Sequence, residues 1–314
     1  MECRVLEIDD YRVDFKRGSA PAKSPQGISL TVSAGEIALV IGMEQVGKSR
    51  LLAAAAGNVP SKGKIRISGA AAGSPEAKRL VGYVPASDSL YPELTCIQYL
   101  GMFSEIFEVE RHYRPYIMRE ALALVRLQDC EDTRISELSD DYRRRCLCLA
   151  RALVHDPRLL VIDDVFTHVD NLQMKSFLDI LNSIRRRGKA LLLSGSQLGG
   201  FYELADQVCY LEDGIPFLQG RTVDLSGEMT KFHLFQLQTL NSRLRRTSAV
   251  FLSKLFSSDS RIISVRRNVQ DPSLWRMIFY GSADEFNEML RQMHANGMQV
   301  VSCWEDRSFF GQIV

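Results

Sequence analysis

The residues best suited to chemistry stand at 42–49, where Gly42-Met43-Glu44-Gln45-Val46-Gly47-Lys48-Ser49 fits the spacing G-x-x-x-x-G-K-[ST]. Glycines at that spacing let a loop curl until its backbone N–H groups converge on an anion. The lysine adds a positive point charge, and the hydroxyl beside it is a hard oxygen donor. Such a loop takes a polyphosphate when it runs from a buried strand into a helix, whose N-terminal dipole adds to the field. Both flanks meet that condition: Ile37-Ala38-Leu39-Val40-Ile41 is a short unbroken apolar run that predicts a strand buried on both faces, and residues 51–56 are helix-prone. The expected nucleotide-phosphate set is Gly42, Glu44, Gln45, Val46, Gly47, Lys48, Ser49 and Arg50, with Ser49 also ligating Mg²⁺.

A second apolar run, Leu159-Leu160-Val161-Ile162, ends in Asp163-Asp164. A carboxylate at the tip of a buried strand is placed to hold Mg²⁺ through water, so Asp163 joins Ser49 as a metal residue. An apolar strand ending in Asp is common by itself; together with the phosphate loop it becomes informative.

The elements that must position these groups follow from hydrophobic period. Residues 3–15 alternate in the manner of an edge strand, and 27–32 followed by Ala34-Gly35-Glu36 read as strand then turn. A stretch from about 86 to 152 is helical in pattern, and the apolar runs 159–162 and 190–193 read as parallel core strands separated by a helix near 174–186. Beyond Gly220 the pattern changes: an amphipathic segment at 230–256, strands at 261–265 and 275–280, a helix, and a last strand at 299–304. Ser282 and Glu285 form a capping box for that helix, Phe286, Met289, Leu290 and Met293 share one face, and Asn296-Gly297 ends it.

Composition narrows the function classes. Lys and Arg number 39 against 38 Asp and Glu, a net charge of +1, so no basic field is expected to attract nucleic acid. No stretch reaches the roughly 18 to 20 apolar residues of a membrane helix, and the N-terminus is charged rather than signal-like, which predicts a cytoplasmic protein. The seven cysteines show no paired C-x-x-C spacing and read as reduced, mostly structural thiols with no metal site.

The order of these elements resembles the ATP-binding subunits of ABC transporters, over about residues 5–220. Val81-Gly82-Tyr83-Val84-Pro85, Leu90-Tyr91-Pro92-Glu93-Leu94-Thr95, Leu138-Ser139, Leu149-Ala150-Arg151-Ala152-Leu153, His155-Asp156-Pro157 and Leu211-Glu212-Asp213-Gly214 carry the resemblance. It implies an α/β fold, a P-loop NTPase of ABC type with a mixed sheet core, an antiparallel β layer and a helical subdomain at about 86–150. The nucleotide-binding domain would span 1–222, and a small C-terminal α+β domain, 223–314, would dimerise or regulate, as in ABC-2-type exporter subunits. It also implies an aromatic stacked on adenine, for which Phe15 is placed, with a core or surface Phe as the plainer alternative. The implied cofactors are ATP and Mg²⁺. The implied partners are an integral membrane permease, docked on the helical insertion, and a second nucleotide-binding subunit in a homo- or heterodimer, peripheral on the inner face of the membrane.

The departures from the family pattern cluster in its hydrolytic groups. The Q-loop glutamine falls at Ala86, which can ligate nothing. The catalytic glutamate falls at Asp164, one methylene shorter, and a displacement of about 1 Å at a reacting centre can cost on the order of 10²-fold. The switch histidine falls at Ser196, which has no ionisable imidazole. The signature L-S-G-G-Q reads Leu138-Ser139-Asp140-Asp141-Tyr142, and the segment from Ser139 to Ala150 is one residue longer than usual. Ser139 and Asp140 would face the partner's nucleotide, where carboxylates oppose a triphosphate, or Asp140 simply caps a solvated helix start. Asp170 matches the family's dimer-facing D-loop aspartate, and His168 reads as a surface or interface histidine. The resulting expectation is a subunit that grips Mg-ATP and hydrolyses it slowly or not at all; the alternative is an ATP-binding scaffold or regulator outside transport.

Overall fold

Alternation in the first residues and unbroken apolar runs after residue 36 build two different sheets. The computed structural model describes residues 3–12, 27–42, 47–61, 63–87, 90–165, 170–196, 203–212, 214–229, 231–239, 259–267, 273–295 and 300–305. Backbone contacts group the chain into two compact units, Met1–Ser196 with Gly200–Thr222, and Gln197–Gly199 with Val223–Val314.

The first unit runs β1 (Arg4–Tyr11), β2 (Ile28–Ser33), β3 (Ile37–Ile41), α1 (Lys48–Ala55), β4 (Lys64–Ile67), β5 (Ala70–Ala71), α2 (Pro75–Arg79), β6 (Val81–Val84), α3 (Cys96–Ile106), α4 (Arg114–Leu124), α5 (Asp141–Leu153), β7 (Leu159–Ile162), α6 (Asn171–Arg186), β8 (Ala190–Gly195), β9 (Gln207–Glu212) and β10 (Ile215–Arg221). An antiparallel sheet has the order β2-β1-β4-β5. The edge-strand expectation for the N-terminus is therefore corrected: β1 pairs with β2 on one side and β4 on the other. Its alternation marks one buried sheet face, not an edge, because a strand's period of two reports facial burial and says nothing of its lateral neighbours.

The larger sheet has the order β10-β9-β3-β8-β7-β6. Strands β9, β3, β8, β7 and β6 are mutually parallel and β10 returns antiparallel on β9. Every residue of β3, β7 and β8 is buried, as parallel strands covered on both faces require. Leu51, Leu52, Ala54 and Ala55 of α1 join one apolar cluster with Leu6, Ile8, Ile28 and Ile67 of the antiparallel sheet and Val40, Leu159 and Leu192 of the parallel one. At the N-terminal end of the sheet, Arg185 of α6 bonds Gly35 O at 2.8 Å, Leu204 O at 3.2 Å and Asp206 Oδ1 at 2.8 Å, while Asp206 Oδ2 accepts from Ile37 N at 2.9 Å. All seven cysteines are free; Cys96, Cys130, Cys146, Cys148 and Cys209 are buried, and burial pushes the Cys209 thiol up to about 12.

The helical stretch resolves into α3, α4 and α5 with short 3-10 turns at Gln128–Cys130 and Ile135–Glu137. Thr95 and Gln98 close a capping box on α3.

The second unit contains α7 (Thr222–Met229), β11 (Phe232–Thr239), β12 (Ile262–Arg267), β13 (Leu274–Tyr280), α8 (Ala283–Ala295) and β14 (Val300–Glu305), with the antiparallel order β12-β13-β11-β14. The segment expected only as amphipathic opens as strand β11. The capping box is present: Ser282 N donates to Glu285 Oε2 at 2.8 Å and Glu285 N to Ser282 Oγ at 3.3 Å. Phe286, Met289 and Met293 of α8 bury against Phe235, Leu237, Met277 and Phe279 of the sheet, and Phe286 stacks on Phe235 with centroids 3.5 Å apart. The Asn296-Gly297 stop lies outside the described residues.

One close approach sets how α5 lies on the parallel sheet. A Cβ on Gly82 of β6 would stand 2.2 Å from the Ala152 carbonyl oxygen, a backbone atom that cannot step aside. Gly82→Ala should therefore destabilise the protein by about 1–3 kcal/mol, read as a lower urea midpoint with an unchanged m-value.

Candidate nucleotide-binding site

Parallel pairing brings the C-terminal ends of four strands to one edge. In register, Ile41 lies beside Gly195, Leu193 beside Ile162, and Ile162 beside Val84. The residues that follow, Gly42, Ser196, Asp163 and Pro85-Ala86, therefore share that edge, the place where open α/β sheets bind ligands. The match to sequence expectation is close for the loop flanks: Gly42 leaves β3 with its N–H on Gly195 O at 3.3 Å, and Gly47 stands at the N-cap of α1. Its φ of 96° is left-handed, which glycine reaches without the Cβ penalty.

Lys48 opens α1 and its Nζ donates to the Gly42 carbonyl, so the ammonium reaches back to the residue that leaves β3. Ser49 and Arg50 are exposed on the first turn of α1. Among the described residues no side chain caps α1, whose N-terminus follows directly on the 42–47 segment. Glu44, Gln45 and Val46, and the adenine candidate Phe15, lie outside the described residues, as does His168.

Asp163 is 2% exposed. Its Oδ1 accepts from Ser194 Oγ at 2.6 Å, and its N–H is held by Val84 O at 2.8 Å. Ser194 also accepts from Asp164 N at 2.9 Å, so one hydroxyl serves both aspartates. Asp164 has φ 55°, a left-handed conformation that Asp tolerates better than most residues. The charges are felt nearby: burial first, then the Asp163 carboxylate, push the Tyr83 phenol up, and the Arg145 guanidinium opposes them. Strands β3 and β7 flank β8, so the phosphate loop and Asp163 are separated by one strand, roughly 10 Å of lateral spacing. Ser49, Asp163 and Asp164 supply hard oxygens of the kind Mg²⁺ takes. Among the described residues no group of three or more His, Cys, Asp or Glu side chains could hold a metal ion alone, so this donor set fits Mg²⁺ only with phosphate oxygens completing the shell.

Asp140 is the N-cap of α5 and accepts from Arg143 N at 2.7 Å, with Ser139 Oγ donating to its other oxygen at 3.2 Å. Asp170 is the N-cap of α6, accepting from Leu172 N at 2.9 Å and Gln173 N at 2.8 Å while Gln173 bonds back to Asp170 N. Both aspartates satisfy helix ends in the single chain. Ser196 follows β8 and is half-buried.

Two contributors to this edge escape a sequence reading. Ser194 sits inside an apolar strand, where only tertiary contact reveals its use. Arg145, 9% exposed, bonds carbonyls after β6 and β7. Its one available signal is phase: on a helix Tyr142, Arg145, Leu149 and Ala152 share a face, so this arginine points inward while Arg143 and Arg144 do not. Ser194→Ala should cost about 1–3 kcal/mol by leaving a buried carboxylate oxygen and the Asp164 N–H short of a partner, measured by calorimetry against wild type.

The family described as ABC transporter matches residues 25–167. The Nod factor export ATP-binding protein I of Rhizobium etli is 34% identical over 205 residues, covering 64% of this chain and 65% of that protein's length. Its namesake from Burkholderia lata is 32% identical over 219 residues, covering 69% and 71%. Among solved structures, cbiO1 from Clostridium perfringens, part of the ABC transporter complex cbiONQ, superposes with TM-score 0.63 at 18% identity over 72% of this chain and 92% of that one. An ABC transporter's ATP-binding cassette in its ADP conformation gives 0.61 at 17% identity, covering 72% and 95%. The edge geometry and these relatives agree: the chain folds as a P-loop ATP-binding cassette and belongs to the ATP-binding proteins of the ABC transporter family.

Proposed function

We propose that this chain binds Mg-ATP through residues 42–50 and Asp163, hydrolyses it slowly or not at all, and serves as a nucleotide-binding subunit dimerised beneath a separate integral membrane permease. The observation that carries the reading is the coexistence of a complete phosphate-binding loop with substitutions at the groups meant to use it. Lys48 and the N-terminal dipole of α1 would supply positive potential at the edge. Ser49 and Asp163 would hold Mg²⁺, which supplies charge neutralisation between phosphate oxygens when bound. Ala86 offers no ligand, Asp164 is shorter than glutamate, and Ser196 carries no titratable ring, so no residue at 86, 164 or 196 combines reach with basicity.

Binding without rapid turnover still does work if the closed form binds ATP better than the open one, because the ligand then shifts the equilibrium by its differential affinity. Support for a permease partner comes from the relatives, an export ATP-binding protein and a component of the cbiONQ transporter complex, and a location at the membrane's inner face follows from that partner. The second unit, with its own core, is read as a dimerisation or regulatory domain. Asp140 and Asp141 in the signature favour a second reading, a scaffold or regulator that uses ATP to order a surface, since negative charge there opposes a partner's triphosphate.

Lys48→Ala should abolish Mg-ATP binding; unchanged affinity in calorimetric titration would remove the loop assignment. In a single-turnover assay with labelled Mg-ATP, wild type should return intact ATP over many minutes, and rapid appearance of ADP would mean that Asp164 suffices. Asp164→Glu with Ser196→His should raise turnover, and no gain would move the block to Ala86 or the signature segment. Co-purification with a membrane subunit would argue against the scaffold reading.

A further inference from the structure

Arg145 makes contacts that none of the family-derived roles uses. Its Nη1 donates to Pro85 O and to Ala86 O at 3.4 Å; its Nη2 donates to Asp163 O and to Asp164 O at 3.2 Å. Those carbonyls belong to the two peptide planes flanking Ala86 and the two flanking Asp164. Fixing both planes around a residue fixes its φ and ψ, and with them the direction of its Cα–Cβ bond. The guanidinium thus sets how side chains at positions 86 and 164 leave the backbone, and it does so at Asp164 where the backbone is left-handed, φ 55°.

We propose that Arg145 is a positioning residue: its guanidinium, held on α5, aims the Asp163-Asp164 turn at the nucleotide edge and couples that turn to the segment after β6. This rests on the Mg-ATP reading of the edge. The residue type follows from geometry. A planar fork with five N–H donors spans two chain segments at once, whereas the single nitrogen of lysine serves one at a time. The coupling has a mechanical consequence, because α5 starts at the cap Asp140 and lies against β6 through Gly82. A displacement of α5 drags the guanidinium, and the guanidinium drags both turns.

Arg145→Lys and Arg145→Gln test this against Arg151→Lys as control. Arg151 sits two turns along the same helix and bonds Tyr83 O at 2.8 Å and Tyr99 Oη at 3.2 Å, a purely structural set of contacts. ATP affinity is measured by calorimetry in EDTA and again in Mg²⁺. With the metal-holding turn misaimed, the Arg145 variants should keep the EDTA affinity within about twofold and lose about 10- to 100-fold of the Mg²⁺-dependent tightening, while Arg151→Lys lowers the melting temperature and leaves that tightening intact. Tightening preserved in a folded Arg145→Lys or Arg145→Gln would overturn the proposal. So would failure of both variants to fold, since Arg145 would then be a structural prop. Wild type with no ATP binding, or with none that responds to Mg²⁺, would instead bring down the reading of the edge itself and this proposal with it.

Discussion

The parallel hydrogen bonding of β3, β8, β7 and β6 is the constraint on which everything else depends. Parallel strands bury their backbone polar groups among themselves and need apolar cover on both faces, which explains the unbroken runs at 37–41, 159–162 and 190–193. Because they run in one direction, their C-terminal ends share an edge, and residues over a hundred positions apart become neighbours there. The polar groups at that edge then have to be satisfied locally. Ser194 does this for Asp163 and Asp164, and Arg145 does it for the carbonyls of the turns after β6 and β7.

On the proposed reading, binding and turnover draw on different groups at that edge. A phosphate loop of this type needs backbone N–H groups, a helix terminus and one lysine. Hydrolysis asks for more: a basic group at the right length and a hydrogen-bonding partner that can titrate. On the same reading, Ala86, Asp164 and Ser196 bear on the second list and not on the first. The two aspartates of the signature are bound up in the chain's own secondary structure, where Asp140 caps α5.

Legible in the sequence were the strand at 37–41, the helix that follows the 42–49 motif and the buried strand that ends at Asp163-Asp164, because residue type, spacing and hydrophobic period are local properties. The α8 capping box and the buried face of that helix were legible for the same reason. The lateral relations came from packing alone: β1 lies inside its sheet rather than at an edge, Ser194 meets both aspartates, and Arg145 reaches across to two turns 60 and 18 residues away. Alternation reports which face of a strand is covered but not which strands flank it. A serine in an apolar run or the third arginine of a row takes its role from a partner far along the chain, and only the packed sheet says which partner that is.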